Sequence, residues 1–156
     1  MFVAENHAVL LANETETLSL GARIAPNITA PLIIWLQGDL GAGKTTFTRG
    51  LLNALGHNGA VKSPTYNIVE SYPLQKFTLH HFDLYRFQTA DEWLDAGLDE
   101  LFTANSVSLI EWPQQGADYV PKPDIILHLT TINHGRNAEL TAVSDHGKHL
   151  IASIKN

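Results

Sequence analysis

The sequence predicts an α/β fold in which a mostly parallel central sheet carries an antiparallel hairpin and edge strands, with helices on both faces. Three observations lead to this prediction. The chain has 156 residues, which is the size of one domain with its own core. Short apolar segments are mixed with segments of helical pattern, as in α/β proteins. One apolar segment runs into a glycine-rich loop and then into a helix. We therefore expect residues 1–156 to form a single domain.

The first helix is predicted from its capping residues. Asn13 is a favourable N-cap, and Glu16 three residues later completes a capping box. The helix should continue to Ala25. Its buried stripe would then contain Leu18, Ala22 and Ala25.

An apolar run over residues 31–36 predicts a strand that is covered on both faces of the sheet. A helix should follow over residues 44–55 and end at Gly56, because glycine suits the left-handed position after a helix. The later elements follow from the same patterns. They are a hairpin of strands over residues 67–72 and 77–83 with a turn at Pro73, a helical segment over 89–102 interrupted at Gly97, strands over 107–110, 124–130 and 137–143, and a helix over 148–154.

The composition excludes several classes of site and partner. The chain has no cysteine, so disulfides, thiolate metal sites and cysteine nucleophiles are ruled out. Sixteen acidic against ten basic residues give a net charge of −6, which argues against non-specific binding to nucleic acid or anionic lipid. Residues 1–11 lack the features of an export signal, and no apolar run is long enough to cross a bilayer. We therefore expect a cytoplasmic protein that does not bind membranes.

Residues 38–45 read Gly-Asp-Leu-Gly-Ala-Gly-Lys-Thr and match the phosphate-binding pattern G-x-x-x-x-G-K-[ST]. Gly41 and Gly43 allow a tight turn that points consecutive N–H groups at phosphate oxygens, and the following helix adds its N-terminal dipole. Lys44 would supply a cation to the β- and γ-phosphates, and the Thr45 hydroxyl can ligate Mg²⁺. A glycine-rich turn with a surface lysine is the alternative, but the strand–loop–helix order favours a nucleoside triphosphate or a ligand with the same phosphate layout. The predicted binding residues of this segment are Asp39, Leu40, Gly41, Ala42, Gly43, Lys44, Thr45 and Thr46.

Two carboxylates at predicted strand ends are candidates for the acidic groups that a P-loop enzyme needs for Mg²⁺ and for the attacking water. Glu111 follows the apolar strand over residues 107–110, and Asp83 ends the predicted strand over residues 77–83. A solvated strand-end acid is the alternative for Glu111. For Asp83 the alternative is a turn cap or a partner for Arg86. The residues alone do not assign which carboxylate contacts the metal and which positions water.

Two further features have less specific patterns. The loop Lys62-Ser-Pro-Thr-Tyr66 lies where many P-loop proteins carry a switch whose hydroxyl senses the γ-phosphate, with an ordinary proline turn as the alternative. His80 and His81 would point to opposite faces of their strand. For both, an ordinary half-buried histidine is favoured over a metal ligand, because no second histidine lies at ligand spacing.

Four segments in this order, residues 38–46, 62–66, 81–86 and 110–112, resemble the TsaE (YjeE) family of small bacterial P-loop ATPases. The resemblance runs from about residue 13 to residue 112 and implies a single P-loop α/β domain with weak ATPase activity. It implies a requirement for N6-threonylcarbamoyladenosine at position 37 of tRNAs that read ANN codons. The implied partners are the TsaD and TsaB proteins, whose complex the ATPase would reset between turnovers, while TsaC makes the threonylcarbamoyl-adenylate. Because the chain is acidic, we expect contact with tRNA only through those partners.

The resemblance also implies roles for individual residues. Lys44 and Thr45 would bind phosphate and Mg²⁺, Thr65 would belong to the switch-like loop, Asp83 and Glu111 would serve the metal and the water, Trp112 would buttress the site and Thr17 would lie near the nucleotide. Glu111 is the stronger candidate for Mg²⁺.

Other functions are open from the residues alone. A small-molecule P-loop kinase is one, although such kinases commonly use lid arginines and Arg136 is the only arginine after residue 89. A GTPase is disfavoured because the chain lacks an Asn-Lys-x-Asp box. A third function, a nucleotide-gated interaction protein, differs from a partner-controlled ATPase mainly in emphasis.

Overall fold

Seven strands form one mixed sheet in the computed structural model, which describes residues 5–155. The strands are β1 (Glu5–Leu11), β2 (Leu32–Gln37), β3 (Val69–Pro73), β4 (Thr78–Asp83), β5 (Ser106–Glu111), β6 (Ile125–Ile132) and β7 (Gly135–Ala142). Their spatial order is β1-β7-β6-β2-β5-β4-β3. The four central strands are parallel to one another, whereas β3 pairs antiparallel with β4, and β7 pairs antiparallel with both β6 and β1. The predicted α/β class is therefore confirmed.

Helices and short 3-10 turns cover the two faces of the sheet. The helices are α1 (Glu14–Ile24), α2 (Lys44–Ala54), α3 (Glu92–Asp95) and α4 (Asp145–Ile154), and the 3-10 turns are Ala25–Asn27, Leu98–Leu101 and Pro113–Tyr119. One face packs against the three longer helices α1, α2 and α4. The opposite face packs against α3 and the two later 3-10 turns. No helix in the part of the chain that the structure describes could span a membrane.

Strand β2 lies at the centre of both cores. Its side chains Leu32, Ile34 and Leu36 pack into the core beneath the long helices, while Ile33 and Trp35 pack on the opposite face. This confirms the prediction that residues 31–36 form a strand covered on both faces. Because β5 and β6 flank β2 in parallel, the glycine-rich loop that follows β2 lies at the edge where all three strands end.

The buried face of α1 differs from the predicted one. Its buried residues are Thr17, Leu20, Gly21 and Ile24. Of the predicted stripe only Ala25 is buried, and it lies just after the end of α1. The other two predictions were wrong, since Leu18 is only partly buried and Ala22 is exposed. A Cβ on Gly21 would lie 2.6 Å from the Phe47 carbonyl oxygen of α2, so the two helices touch at backbone distance along the glycine side of α1.

Several predicted elements have different lengths in the structure. The cap at Asn13 is confirmed, because its side chain accepts a hydrogen bond from the Glu16 N–H at 3.0 Å. The helical segment expected over residues 89–102 is reduced to α3 and a 3-10 turn, with Gly97 between them at φ 66°. The last helix begins at Asp145 rather than at residue 148, because Ser144 caps it.

The sequence does not predict β1, which forms an edge of the sheet. All seven of its residues pair with β7, and this pairing puts Leu11 opposite Arg136. The burial pattern of β1 is weak, since Leu11 is buried and Leu10 is exposed. The strand is therefore determined by pairing with β7 rather than by a local pattern. Residues 1–4, which begin the segment expected to lack an export signal, and Asn156 at the end of the expected domain lie outside the described residues.

Candidate nucleotide-binding site

The glycine-rich loop connects the end of β2 to the start of α2. Gly41 and Gly43 have positive φ angles of 81° and 106°, and Gly43 is the N-cap residue of α2. Left-handed angles of this kind strain residues with a Cβ, so glycine is needed at both positions. Within the loop, the Ala42 N–H donates to the Asp39 carbonyl oxygen at 3.0 Å. The loop has the tight turn and the adjoining helix N-terminus that phosphate binding requires.

Lys44 is the first residue of α2 and is only 6% exposed. Its Nζ donates a hydrogen bond to the Gly38 carbonyl oxygen at 2.7 Å and lies 3.5 Å from the Glu111 carboxylate. The same Nζ lies 4.6 Å from the centre of the Trp112 ring. These contacts hold a buried cation beside the loop instead of letting it extend into solvent, which rules out the simple surface-lysine alternative.

Asp83 and Glu111 end the adjacent strands β4 and β5, and they are 6% and 5% exposed. Asp83 accepts hydrogen bonds from the Tyr85 N–H at 2.9 Å and from the Thr65 hydroxyl at 3.2 Å. Burial raises the pKa of the Asp83 carboxyl, and the nearby Glu111 carboxylate acts in the same direction, while the two hydrogen bonds oppose the shift. Asp83 thus also serves as the turn cap considered above.

The ion pair between Asp83 and Arg86 that the sequence leaves open is not formed. Arg86 lies instead over the ring of Tyr66, 4.2 Å from its centre. Thr65 belongs to the same loop as Tyr66, and its hydroxyl also contacts Ser63 at 2.7 Å. The loop at residues 62–66 is thereby connected to the carboxylate end of β4.

The predicted phosphate and metal residues line one recess of about 230 Å³. Its lining comprises Leu40, Gly41, Gly43, Lys44, Thr45, Thr46, Ser63, Thr65, Asp83 and Glu111. One cation, two carboxylates and four hydroxyl groups therefore face the same space beside the loop. This is the combination of side chains expected around a polyphosphate and a hard divalent cation, because the cation contacts phosphate and the oxygen atoms can ligate the metal.

A second recess, of about 340 Å³, lies on the other side of the loop and shares Gly41, Gly43 and Thr46 with the first. Thr17 lines this second recess, and a Cβ on Gly43 would lie 3.6 Å from the Thr17 methyl carbon. Both recesses therefore border the same part of the loop.

Arg136 also lines the second recess, and the sequence does not identify it as a site residue. Its guanidinium donates hydrogen bonds to the carbonyl oxygens of Ala42 at 2.9 Å and of Gly41 at 3.1 Å. Both acceptors belong to the glycine-rich loop. The only signal for such a role is that Arg136 is the sole arginine after residue 89, which does not indicate what it contacts.

Trp112 directly follows β5 and has a left-handed φ of 56°, which is uncommon for a bulky residue. Its ring contacts the Lys44 ammonium group and also lies 5.0 Å from the ring of Tyr85. Trp112 is therefore in position to buttress Lys44, as the resemblance implies. Asp39 lies apart from the two carboxylates, in a third recess that it shares with Trp112. Ala42 is buried within the loop.

The two histidines do face opposite sides of β4, but they differ in burial. His81 is fully buried, and its Nε2 lies 2.5 Å from the Glu111 carboxylate. His80 is hydrogen-bonded to the Ser71 hydroxyl at 2.7 Å, and burial lowers the pKa of its imidazole. The expectation of half-buried histidines is therefore wrong for both, since His80 is only 8% exposed. The contact of His81 with Glu111 depends on the pairing of β4 with β5.

Comparison with known proteins gives one consistent family. Residues 11–139 match the family model of Threonylcarbamoyl adenosine biosynthesis protein TsaE. The chain is 42% identical over 125 residues to the tRNA threonylcarbamoyladenosine biosynthesis protein TsaE of Haemophilus influenzae, which covers 80% of this chain and 79% of that protein. It is 39% identical over 110 residues to the TsaE protein of Bacillus subtilis, covering 70% and 68% of the two chains. Among solved structures, that of Bacillus subtilis YdiB has a TM-score of 0.81 at 28% identity and covers 99% of this chain and 97% of that chain.

Proposed function

The chain belongs to the TsaE family of threonylcarbamoyl adenosine biosynthesis proteins, and from this premise we propose that it acts in tRNA threonylcarbamoyladenosine biosynthesis as a Mg²⁺-dependent, weak ATPase. Residues 1–156 would act as one unit. Family membership favours this function over a small-molecule kinase. The ATPase would assist the proteins that transfer the threonylcarbamoyl group and would not catalyse the transfer itself.

The observation that carries the proposal is the arrangement of Lys44, Asp83 and Glu111 around one recess beside the glycine-rich loop. These residues come from three different elements, α2, β4 and β5. All three side chains are buried, and the cation lies 3.5 Å from one of the two carboxylates. Buried charges are costly to maintain, so their collection at one point indicates a functional role.

In this proposal the loop N–H groups and Lys44 bind the phosphates of ATP. Lys44 would exchange its contacts with Gly38 and Glu111 for contacts with the β- and γ-phosphates. Arg136 holds two carbonyl oxygens of the loop and would thereby fix the orientation of the loop towards the phosphates. The second recess, with Thr17 and Arg136 in its wall, would accommodate the rest of the nucleotide.

The recess also fits Mg²⁺, which prefers oxygen ligands and keeps part of its water shell. The hydroxyl of Thr45 and the carboxylates of Asp83 and Glu111 line the same space and would hold the ion. When bound, Mg²⁺ would neutralise part of the charge on the β- and γ-phosphates.

Hydrolysis requires a water molecule in line with the γ-phosphate. The water oxygen forms a bond to the γ-phosphorus while the bond from that phosphorus to the β–γ bridging oxygen breaks, which yields ADP and inorganic phosphate. Asp83 and Glu111 would orient this water. Because nothing else in the described lining of the recess supplies a second cation, slow turnover by the isolated chain is expected.

The loop at residues 62–66 provides a route by which nucleotide could control a partner. Thr65 contacts Asp83 inside the site, whereas the neighbouring Tyr66 is 82% exposed. A change at the γ-phosphate would thus be transmitted to an exposed aromatic side chain. We assign the TsaD and TsaB proteins as the partners, in the cytoplasm, and expect tRNA to be bound by them rather than by this acidic chain.

The test is complementation in cells depleted of the protein, with mass-spectrometric analysis of tRNA nucleosides. Wild-type chain and a Lys76→Ala control, whose lysine is exposed and distant from the loop, should restore threonylcarbamoyladenosine, whereas Lys44→Ala should not. Unchanged threonylcarbamoyladenosine on depletion would refute the pathway assignment. Recovery of TsaD and TsaB with the tagged chain, compared with and without ATP, tests the partners. Transfer of the γ-phosphate to a metabolite rather than to water would support the kinase instead.

A further inference from the structure

His81 is a buried, titratable side chain that phosphate binding does not use. It lies on β4, two residues before Asp83, and its imidazole is fully buried. The Nε2 atom lies 2.5 Å from Glu111 Oε2. His81 does not line the recess, so it does not contact a nucleotide there.

The hydrogen-bond partners of the ring determine which nitrogen carries the hydrogen. An ionised carboxylate only accepts hydrogen bonds, so His81 Nε2–H donates to Glu111. The other nitrogen, Nδ1, is buried and has no hydrogen-bond partner among the described residues.

This contact restrains Glu111 through a residue outside the lining of the recess. Glu111 Oε2 is held by His81, while Oε1 lies 3.5 Å from Lys44 Nζ. The carboxylate is therefore fixed in two directions. Carboxylates that bind a metal or orient water depend on such outer contacts to hold their productive geometry.

We propose that His81 is a positioning residue, which holds the Glu111 carboxylate with Oε1 towards Lys44 and the nucleotide recess. The inference rests on the proposed function, since it assigns His81 a role through Glu111. Beyond that function, His81 is the group that would hold the Glu111 carboxylate in the orientation needed for the metal or the water. If His81 only filled the core, an apolar side chain of similar size could replace it. Substitutions that keep the volume but remove the hydrogen-bond donor therefore separate hydrogen bonding from packing.

The experiment compares three substitutions of His81 with His80→Gln as the control on the opposite face of β4. The amide nitrogen of Gln reaches the position of Nε2, the amide nitrogen of Asn reaches only that of Nδ1, and Leu fills volume without a donor. We expect His81→Gln to keep turnover within about threefold of wild type. His81→Asn and His81→Leu should lose about 10- to 100-fold in turnover, the range for outer contacts of this kind, while ATP affinity changes little. Wild-type turnover in His81→Leu would overturn the proposal.

Two further measurements keep the result interpretable. In a Glu111→Gln background His81→Leu should cause no additional loss of turnover, and additive losses would contradict action through Glu111. NMR of the wild-type ring, without nucleotide, should show the hydrogen on Nε2 and a shift of its signal in Glu111→Ala. Absence of a hydrogen on Nε2 would overturn the proposal even if the variants failed to fold. Absence of ATP hydrolysis by every chain, with the expected NMR result, would count against the proposed ATPase and not against the His81 contact.

Discussion

Asp83 and Glu111 are register partners on the adjacent parallel strands β4 and β5, so the two buried carboxylates emerge side by side at one edge of the sheet. Such an arrangement is unfavourable in isolation, because neighbouring carboxylates repel and burial disfavours their charged forms. Burial and, to a lesser extent, the Glu111 carboxylate raise the pKa of Asp83. A divalent cation with bound phosphate would relieve the repulsion between the two carboxylates.

Replacing Lys44 with Ala should weaken ATP binding. The substitution deletes the only cation in the described lining of the phosphate recess, and a hydrogen bond to a charged group contributes about 1.5–3 kcal/mol. This corresponds to a loss of about tenfold or more in affinity, measured by titration calorimetry with ATP and Mg²⁺. Lys76→Ala, at an exposed position, is the matched control. Wild-type affinity in Lys44→Ala would show that the recess is not the phosphate site.

Glu111→Ala should largely remove turnover while leaving ATP binding nearly intact. The carboxylate is needed for the metal or for the water, and groups that orient or deprotonate a nucleophile contribute about 10²–10⁴-fold. Asp83→Asn should lose activity too and should need more Mg²⁺ for half-maximal rate. Phosphate release under saturating ATP measures both, with Glu70→Ala as the control because Glu70 lies outside the recess. If both site variants hydrolysed ATP at the wild-type rate, the assignment of the carboxylates would be wrong.

Arg136→Ala should weaken nucleotide affinity by about tenfold, equivalent to roughly 1.4 kcal/mol. The guanidinium orients two loop carbonyl oxygens. Without it, nucleotide binding itself would have to order the loop, and the free energy spent on this ordering would reduce the affinity. Arg23→Ala is a matched control, because Arg23 also donates to a backbone carbonyl oxygen, that of Ile154, far from the loop. Arg23→Ala should change the free energy of unfolding but should leave nucleotide affinity unchanged. Equal affinities in the wild-type and Arg136→Ala chains would contradict the role given to Arg136.

His80 should make the protein less stable as the pH falls. Burial lowers the pKa of His80 below its ordinary value of 6.5, so the unfolded chain binds a proton in a range where the folded chain does not. Stability is therefore lost as the pH falls below 6.5 and stops falling once the pH is below the lowered pKa. Urea unfolding between pH 7.5 and pH 5 should show a smaller decline for His80→Gln, whose side chain does not titrate. An identical decline in both chains would remove His80 as the cause.

The parts of the site that local sequence determines were predictable. The glycine-rich loop and Lys44 lie in one continuous segment, and loop geometry follows from residue types such as Gly43. The buried central strands were predictable because a strand that is covered on both faces is a continuous apolar run. Glu111 and Asp83 follow predicted strands, and the carboxyl ends of parallel strands meet at one edge of a sheet, so their proximity was predictable too.

What could not be predicted depends on contacts between distant segments. Arg136 lies 95 residues from Gly41 and binds carbonyl oxygens, which every residue type carries and which leave no mark in the sequence. His81 was predictable as a strand residue, but its contact with Glu111 exists only because β4 pairs with β5. The burial of Leu18 and Ala22 in α1 was wrongly predicted because Gly21, with no side chain to add hydrophobicity, forms the contact with α2.

The antiparallel extension of the sheet has a thermodynamic consequence for the loop that it supports. Arg136 lies on β7, which is itself held between β6 and the edge strand β1. If Arg136 favours nucleotide binding, then bound nucleotide must favour the conformation of β7 that presents Arg136 by the same free energy, since coupling between two equilibria is reciprocal. Local opening of β1 and β7 would then be suppressed by ATP, and amide hydrogen exchange in these two strands should slow although neither strand carries the phosphate motif.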